Sequence, residues 1–125
     1  MAEKKVTTIK PKEVKAITIK DPKTGEFKYL LDFNRDSVKW AERQGFKVQV
    51  LEDGMNMNAI DDIFFYSFHA HHSEITRADA AQILKDIGGM RPEMLERLVE
   101  LYLVPFNTLL ATEDSIKNAK LAVEL

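Results

Sequence analysis

Apolar and polar positions change rhythm along this chain. Between Val14 and Lys20 they alternate, with Val14, Ala16-Ile17 and Ile19 set among Lys15, Thr18 and Lys20. A period of two in β-branched residues predicts a short strand. Asp21-Pro22-Lys23-Thr24-Gly25-Glu26 then puts proline and glycine where a turn needs them. Phe27, Tyr29 and Leu31 alternate in turn with Lys28, Leu30 and Asp32. Together the two runs predict a β-hairpin over residues 14–33. A lone hairpin is marginal in water, so this one is expected to lie on another element. Residues 1–13 are polar and interrupted by Pro11, the pattern of a flexible end.

From residue 34 the apolar period lengthens toward that of a helix. Asn34 is an N-cap candidate, Asp36 falls in the first turn, and Gly45 is placed to end the segment. Val38 and Ala41 share one face of it, with Trp40 on an adjacent one. Phe46, Val48 and Val50 alternate over too few residues to assign, and Glu52-Asp53-Gly54 reads as a turn. Asn56 or Asn58 caps the next helix, with Asp61-Asp62 expected in its first turn. Its apolar stripe is Met57, Ile60, Phe64, Phe65 and Phe68, widened by Ile63 and Tyr66. Thr76 and Asp79 form a capping-box pattern that opens a helix through Ala80, Ile83, Leu84 and Ile87, stopped at Gly88-Gly89. Pro92 suits a first helical position, and Leu95, Leu98, Val99 and Tyr102 follow at helical spacing. Pro105 is expected to break or kink that helix before Phe106, Leu109 and Leu110 resume the pattern. Thr112-Glu113-Asp114 caps a weaker last helix over residues 112–125, carrying Ile116, Ala119 and Val123. The expected fold is α+β, mainly α: an N-terminal hairpin followed by a small bundle of five or six short helices, with the helical body over residues 34–111.

Composition agrees with one globular domain: 125 residues, 45% hydrophobic and 30% charged. The absence of cysteine excludes a disulfide scaffold, a cysteine nucleophile and thiolate metal sites. No apolar run approaches the roughly 20 residues of a membrane span, so no membrane partner is expected. Met1-Ala2-Glu3-Lys4-Lys5 lacks the apolar stretch of a secretory signal, and the expected location is cytoplasmic. Charge is unevenly placed. Residues 1–28 hold eight lysines against four acids, a net of +4, and the remainder carries -6 of the chain's -2 total. An acidic body is a poor match for nucleic acid, whose phosphates supply most of the binding. Lysines alternating with apolar residues are also the usual solvent face of an edge strand.

Candidate chemistry is thin. His69 and His72 share a helix face at a spacing that can chelate a metal, but no third ligand stands at a known spacing. A polar helix end explains them as well. The acidic pairs Asp61-Asp62 and Glu113-Asp114 have a first-turn explanation, and Ser37, Ser67 and Ser73 lie in no nucleophile elbow. Gly88-Gly89 is too short to cradle a phosphate. No nucleophile, base and oxyanion donor assemble, so neither catalysis nor a cofactor is expected. What stands out is apolar surface. Residues 57–68 and 94–110 are apolar over more than one core face requires. Phe64, Phe65, Phe68, Leu95, Val99 and Tyr102 are therefore candidates for either the core or a partner surface, two roles the sequence does not separate.

Four stretches also carry a family resemblance. Phe33-Asn34-Arg35-Asp36-Ser37-Val38-Lys39-Trp40-Ala41-Glu42-Arg43-Gln44-Gly45-Phe46 resembles the opening "F-N-R-x-S-V-x-W-A-E-x-x-G-F" of tail assembly chaperones. These serve long-tailed phages and prophages of Gram-positive bacteria. Ile63 to His72 resembles the family's "L-F-Y-x-A-F-x-x-H-H" helix. The stretch Thr76 to Gly89 is similar to its "I-L-x-D-x-G-G" segment, and Leu95 to Tyr102 to its "L-x-R-L-x-E-L-Y" segment. The resemblance spans about residues 28–110. It implies a non-enzymatic, mostly helical protein that coats the aggregation-prone tape measure protein while tail tube subunits polymerise around it. It implies work in the bacterial host cytoplasm and absence from the mature virion. The tail tube protein, a frameshifted longer form of the chain and self-association are further partners on this reading; a slippery heptamer encoding Ile116-Lys117-Asn118 would suit the frameshift. Two other classes stay open: a structural virion component such as a head–tail connector, and a small DNA-contacting regulatory module using the lysine-rich arm.

Overall fold

The computed structural model describes residues 14–52, 56–110 and 113–124. The expected flexible end at residues 1–13 and the centre of the expected turn at Asp53-Gly54 lie outside the described residues. Strands β1 (Ile17–Lys20) and β2 (Phe27–Leu31) pair antiparallel, with Ile17 opposite Leu31 and Ile19 opposite Tyr29. The register slips by a bulge between Ile19 and Lys20. The connecting turn is closed by Asp21, whose carbonyl accepts from the Gly25 amide at 2.7 Å and whose side chain accepts from the Lys23 amide at 2.8 Å. Gly25 has φ +72°, a value that favours glycine.

Helices α1 (Arg35–Arg43), α2 (Met57–Tyr66), α3 (Arg77–Asp86) and α4 (Pro92–Leu109) form the body. Among the described residues the body thus rests on four helices, not the five or six expected. Two shorter segments, Gln49–Glu52 and Glu113–Lys117, make only a turn or so each. The second carries Ile116, but Ala119 and Val123 fall beyond its end. A segment that short cannot repay the cost of nucleating a helix without packing, and its described side chains are exposed.

The start signals mostly hold. Asn34 caps α1 reciprocally with Ser37: Asn34 Oδ1 accepts from the Ser37 amide at 2.8 Å, and Ser37 Oγ accepts from the Asn34 amide at 2.9 Å. Thr76 and Asp79 do the same for α3. Asn56, not Asn58, caps α2 through the Ala59 amide. This cap starts α2 at Met57, so Asp61 and Asp62 lie in the second turn rather than the first, and the dipole rationale for them lapses. Replacing Asn34 with alanine is expected to cost about 1 kcal/mol, measurable in a urea titration; the exposed Arg35→Ala variant should stay close to wild type.

Pro105 does not break its helix: α4 runs for 18 residues through it. A break does not occur because packing outweighs a local cost of about 3 kcal/mol. Leu98, Leu101 and Tyr102, just before the proline, are all buried and hold the helix to the body. The core is a chain of rings meeting edge to face. Tyr29 meets Phe68, which meets Phe64; Phe33 meets Tyr102, which meets Phe46, which meets Tyr66 and then Trp40. Leu31, Ile63 and Leu98, fully buried, fill the spaces between them.

The hairpin is fixed along its β2 side. The Leu30 amide donates to His72 Nε2 at 2.9 Å, and the Asp32 amide donates to the Ser67 carbonyl at 3.0 Å. The segment after α2 therefore closes one edge of the two-stranded sheet.

Candidate partner-binding surface

The six apolar candidates separate by depth. Phe64, Phe68 and Tyr102 are buried in the core. Leu95 and Val99 lie half-buried along α4, packed against it. Phe65 is half-buried at the outer face of α2. Their equal apolarity hid this division, because burial depends on which neighbour crosses over each residue.

Around Phe65 the structure assembles rings and charge from three helices and a turn. Trp40 comes from α1, Phe65 and Tyr66 from α2, His69 from the turn after it, and Arg77 from the first position of α3. The Trp40 indole stacks flat on the His69 imidazole, with centroids 3.8 Å apart and planes within 3°. Trp40 also meets Phe65 at 6.0 Å and Tyr66 at 5.2 Å. The Arg77 guanidinium lies 4.8 Å from the Phe65 ring centroid and 5.3 Å from that of Tyr66, within cation–π range. The same group donates to Asp62 Oδ1 at 2.7 Å and to the Tyr66 hydroxyl at 2.9 Å. Asp62 thus anchors Arg77 across α2 and α3. That contact, unforeseen in the sequence reading, is the structural role of one of the two aspartates. The hydrogen bond to Asp62 holds the Arg77 pKa above its ordinary value against partial burial.

Beside Phe65 opens a cleft of about 230 Å³ between α2 and α3, lined by Phe64, Phe65, Ala80, Ala81 and Leu84, with Asp61 and Arg77 at its rim. The two alanines leave room for an apolar side chain from outside to approach the helix backbones. Tryptophan, tyrosine and arginine are the residue types that most often dominate binding energy at protein interfaces. Here a partly open tryptophan and an exposed arginine flank Phe65 beside a small apolar cleft, with buried Tyr66 beneath them.

The histidines do not converge. His69 is engaged on Trp40, whereas His72 accepts from Leu30 and packs edge-on to Tyr29 at 5.4 Å. His71 faces Asp32 at 3.6 Å. Among the described residues no three histidine or carboxylate side chains gather as a metal set. Nor is any described helix long and apolar enough to cross a membrane. The histidines instead join segments distant in sequence, a role that local spacing does not reveal.

Two buried phenols give the fold an alkaline limit. Burial first, then Glu42 and Tyr66, push the Tyr102 pKa from 10.0 up to about 12. Burial, then the Asp62 charge, raise that of Tyr66, opposed by Arg77. In the unfolded chain both ionise near 10. Both contributions are therefore complete below pH 10 and fall as pH rises above it; that of Tyr102 is lost as pH climbs toward 12, with a ceiling of roughly 2–3 kcal/mol. Urea midpoints measured across that window should fall, and the fall should be shallower in Tyr102→Phe.

No curated protein and no solved structure matches the chain. A family model does match it over residues 1–125, so the chain belongs to the family described as Domain of unknown function (DUF5055).

Proposed function

We propose that this protein is a tail assembly chaperone that binds the tape measure protein of a long-tailed phage or prophage and keeps it soluble during tail tube assembly. The observation that carries the reading is the half-exposed surface of Trp40, Phe65 and Arg77 beside the α2–α3 cleft. A chaperone of this kind needs apolar surface that its own fold leaves open, so that amphipathic helices of the client are covered before they aggregate. Trp40 and Phe65 supply rigid apolar area, and the cleft offers a seat for one client side chain. Arg77, already held by Asp62, adds a polar contact that loses little freedom on binding. The resemblance over residues 28–110 supports the tape measure protein as client, and the open apolar surface is consistent with holding it. On this reading the protein works in the host cytoplasm, without catalysis or cofactor, and leaves before the virion is complete.

The test is co-expression with the product of the longest open reading frame downstream. The soluble fraction of that product should rise several-fold with this chain present. An unchanged soluble fraction refutes the reading, and recovery of the chain in purified particles would point to a structural component instead.

A further inference from the structure

Among the described residues the hairpin has one edge closed by another segment and one that no strand covers. Leu30 and Asp32 turn their amides away from β1, toward His72 and Ser67. In an antiparallel ladder the residue opposite such a position turns outward too. Thr18 is paired opposite Leu30, so its amide and carbonyl point to the other side of the sheet. Among the described residues that side holds no strand. It holds a groove of about 600 Å³ between β1 and the facing ends of α3 and α4. Ile17, Ile19, Ile87 and Met94 make it apolar, while Lys20, Arg91 and Arg97 with Asp86 and Glu93 charge it.

The same chain carries a segment suited to that groove. Beyond Lys117 no helix or strand forms among the described residues, and Leu121 and Val123 stand 87% and 82% exposed. They alternate with Lys120, Ala122 and Glu124, the period-two pattern of a strand with one apolar face. Five residues at about 3.3 Å each cover the four-residue edge of β1. The segment ends in opposite charges, Lys120 and Glu124, that match the groove's carboxylates and its cations.

We propose that residues 120–124 of a second copy of this chain add to the open edge of β1 as a third strand, joining two protomers reciprocally. Leu121 and Val123 then cover Ile87 and Met94, while Thr18 gains backbone partners. The protomer's own tail is poorly placed for this seat. Leu109, at the far end of α4, lies about 22 Å along the helix from Met94, at 1.5 Å per residue. The chain from Leu110 to Lys120 includes a helical turn and reaches at most about 27 Å. Nearly all of it would have to run straight back along α4. Exchange between copies avoids that demand, and a hairpin marginal by itself gains a third strand. The inference does not depend on the chaperone reading.

The absence of cysteine makes the test direct. Thr18 and Ala122 would share the solvent face of the extended sheet, so Thr18→Cys and Ala122→Cys, made as separate chains and mixed under mild oxidation, should form a disulfide between chains. The wild type should sediment as a dimer at tens of micromolar. Val123→Asp should sediment as a monomer with an unchanged circular dichroism spectrum. Thr18→Pro, which deletes only an outward-facing amide, should do the same. A wild-type monomer at hundreds of micromolar overturns the proposal. So does a Thr18→Cys/Ala122→Cys chain that closes only within itself, or dimers that survive both Val123→Asp and Thr18→Pro.

Discussion

Phe68→Ala is expected to lose about 3–5 kcal/mol of unfolding free energy, a large part of the roughly 5–15 kcal/mol that holds an ordinary domain. Phe68 is 1% exposed and sits where the hairpin meets the body. Its ring meets Tyr29 of β2 at 5.5 Å and Phe64 of α2 at 5.2 Å, both edge to face. Truncation opens a cavity among rings that have little freedom to close it. It also removes the apolar contact behind the Leu30–His72 hydrogen bond, so the hairpin should loosen first. Thermal melts should show a midpoint lower by more than about 10 °C, and hydrogen exchange at Leu30 and Asp32 should accelerate. Phe27→Ala is the contrast. That ring is equally apolar but 55% exposed at the hairpin turn, and its loss should change stability by no more than about 0.5 kcal/mol. A Phe68→Ala protein with a wild-type melt would mean that the ring chain is not what joins hairpin to body.

On the proposed chaperone reading, the second large effect falls on client binding. Trp40→Ala combined with Phe65→Ala is expected to weaken capture of the tape measure product by two orders of magnitude or more, since central aromatic anchors commonly contribute over 2 kcal/mol each. Both rings are half-buried, so some stability will be lost as well. Arg77→Lys separates the two effects. Lysine keeps the charge but loses the planar fork that reaches Asp62 and Tyr66 together and the flat face over Phe65. Its unfolding free energy should fall by about 1 kcal/mol, well short of the double alanine variant, while co-expressed client moves to the pellet. Full solubilisation by both variants would place the client surface elsewhere, with the half-buried stripe of Leu95 and Val99 on α4 the next to test.

Much of the local architecture was legible because its causes are local. A cap needs a side chain three residues from the amide it satisfies, and Thr76 with Asp79 shows that in four letters. The hairpin turn declares itself through Pro22 and Gly25. The errors came where a rule was applied without its setting. Pro105 argued for a break, yet buried Leu101 and Tyr102 carry the helix through. Asp61 and Asp62 read from sequence as first-turn acids, but the helix begins four residues earlier and Asp62 answers to Arg77, fifteen residues on. His72 was explained by its own helix end, while its partner is Leu30, 42 residues back.

By itself, then, the amino-acid order determined where strands and helices begin, how most are capped, and that the chain has more apolar side chains than one core face requires. Those outcomes depend on periodicity and on contacts within a turn. Only the tertiary structure decided that Phe64, Phe68 and Tyr102 go inside while Phe65 and Trp40 stay partly open, and that among the described residues no strand pairs with β1 on the side away from β2. Burial is set by whatever packs across a residue from a distant segment, and the apolar pattern of a single helix contains no term for its neighbours.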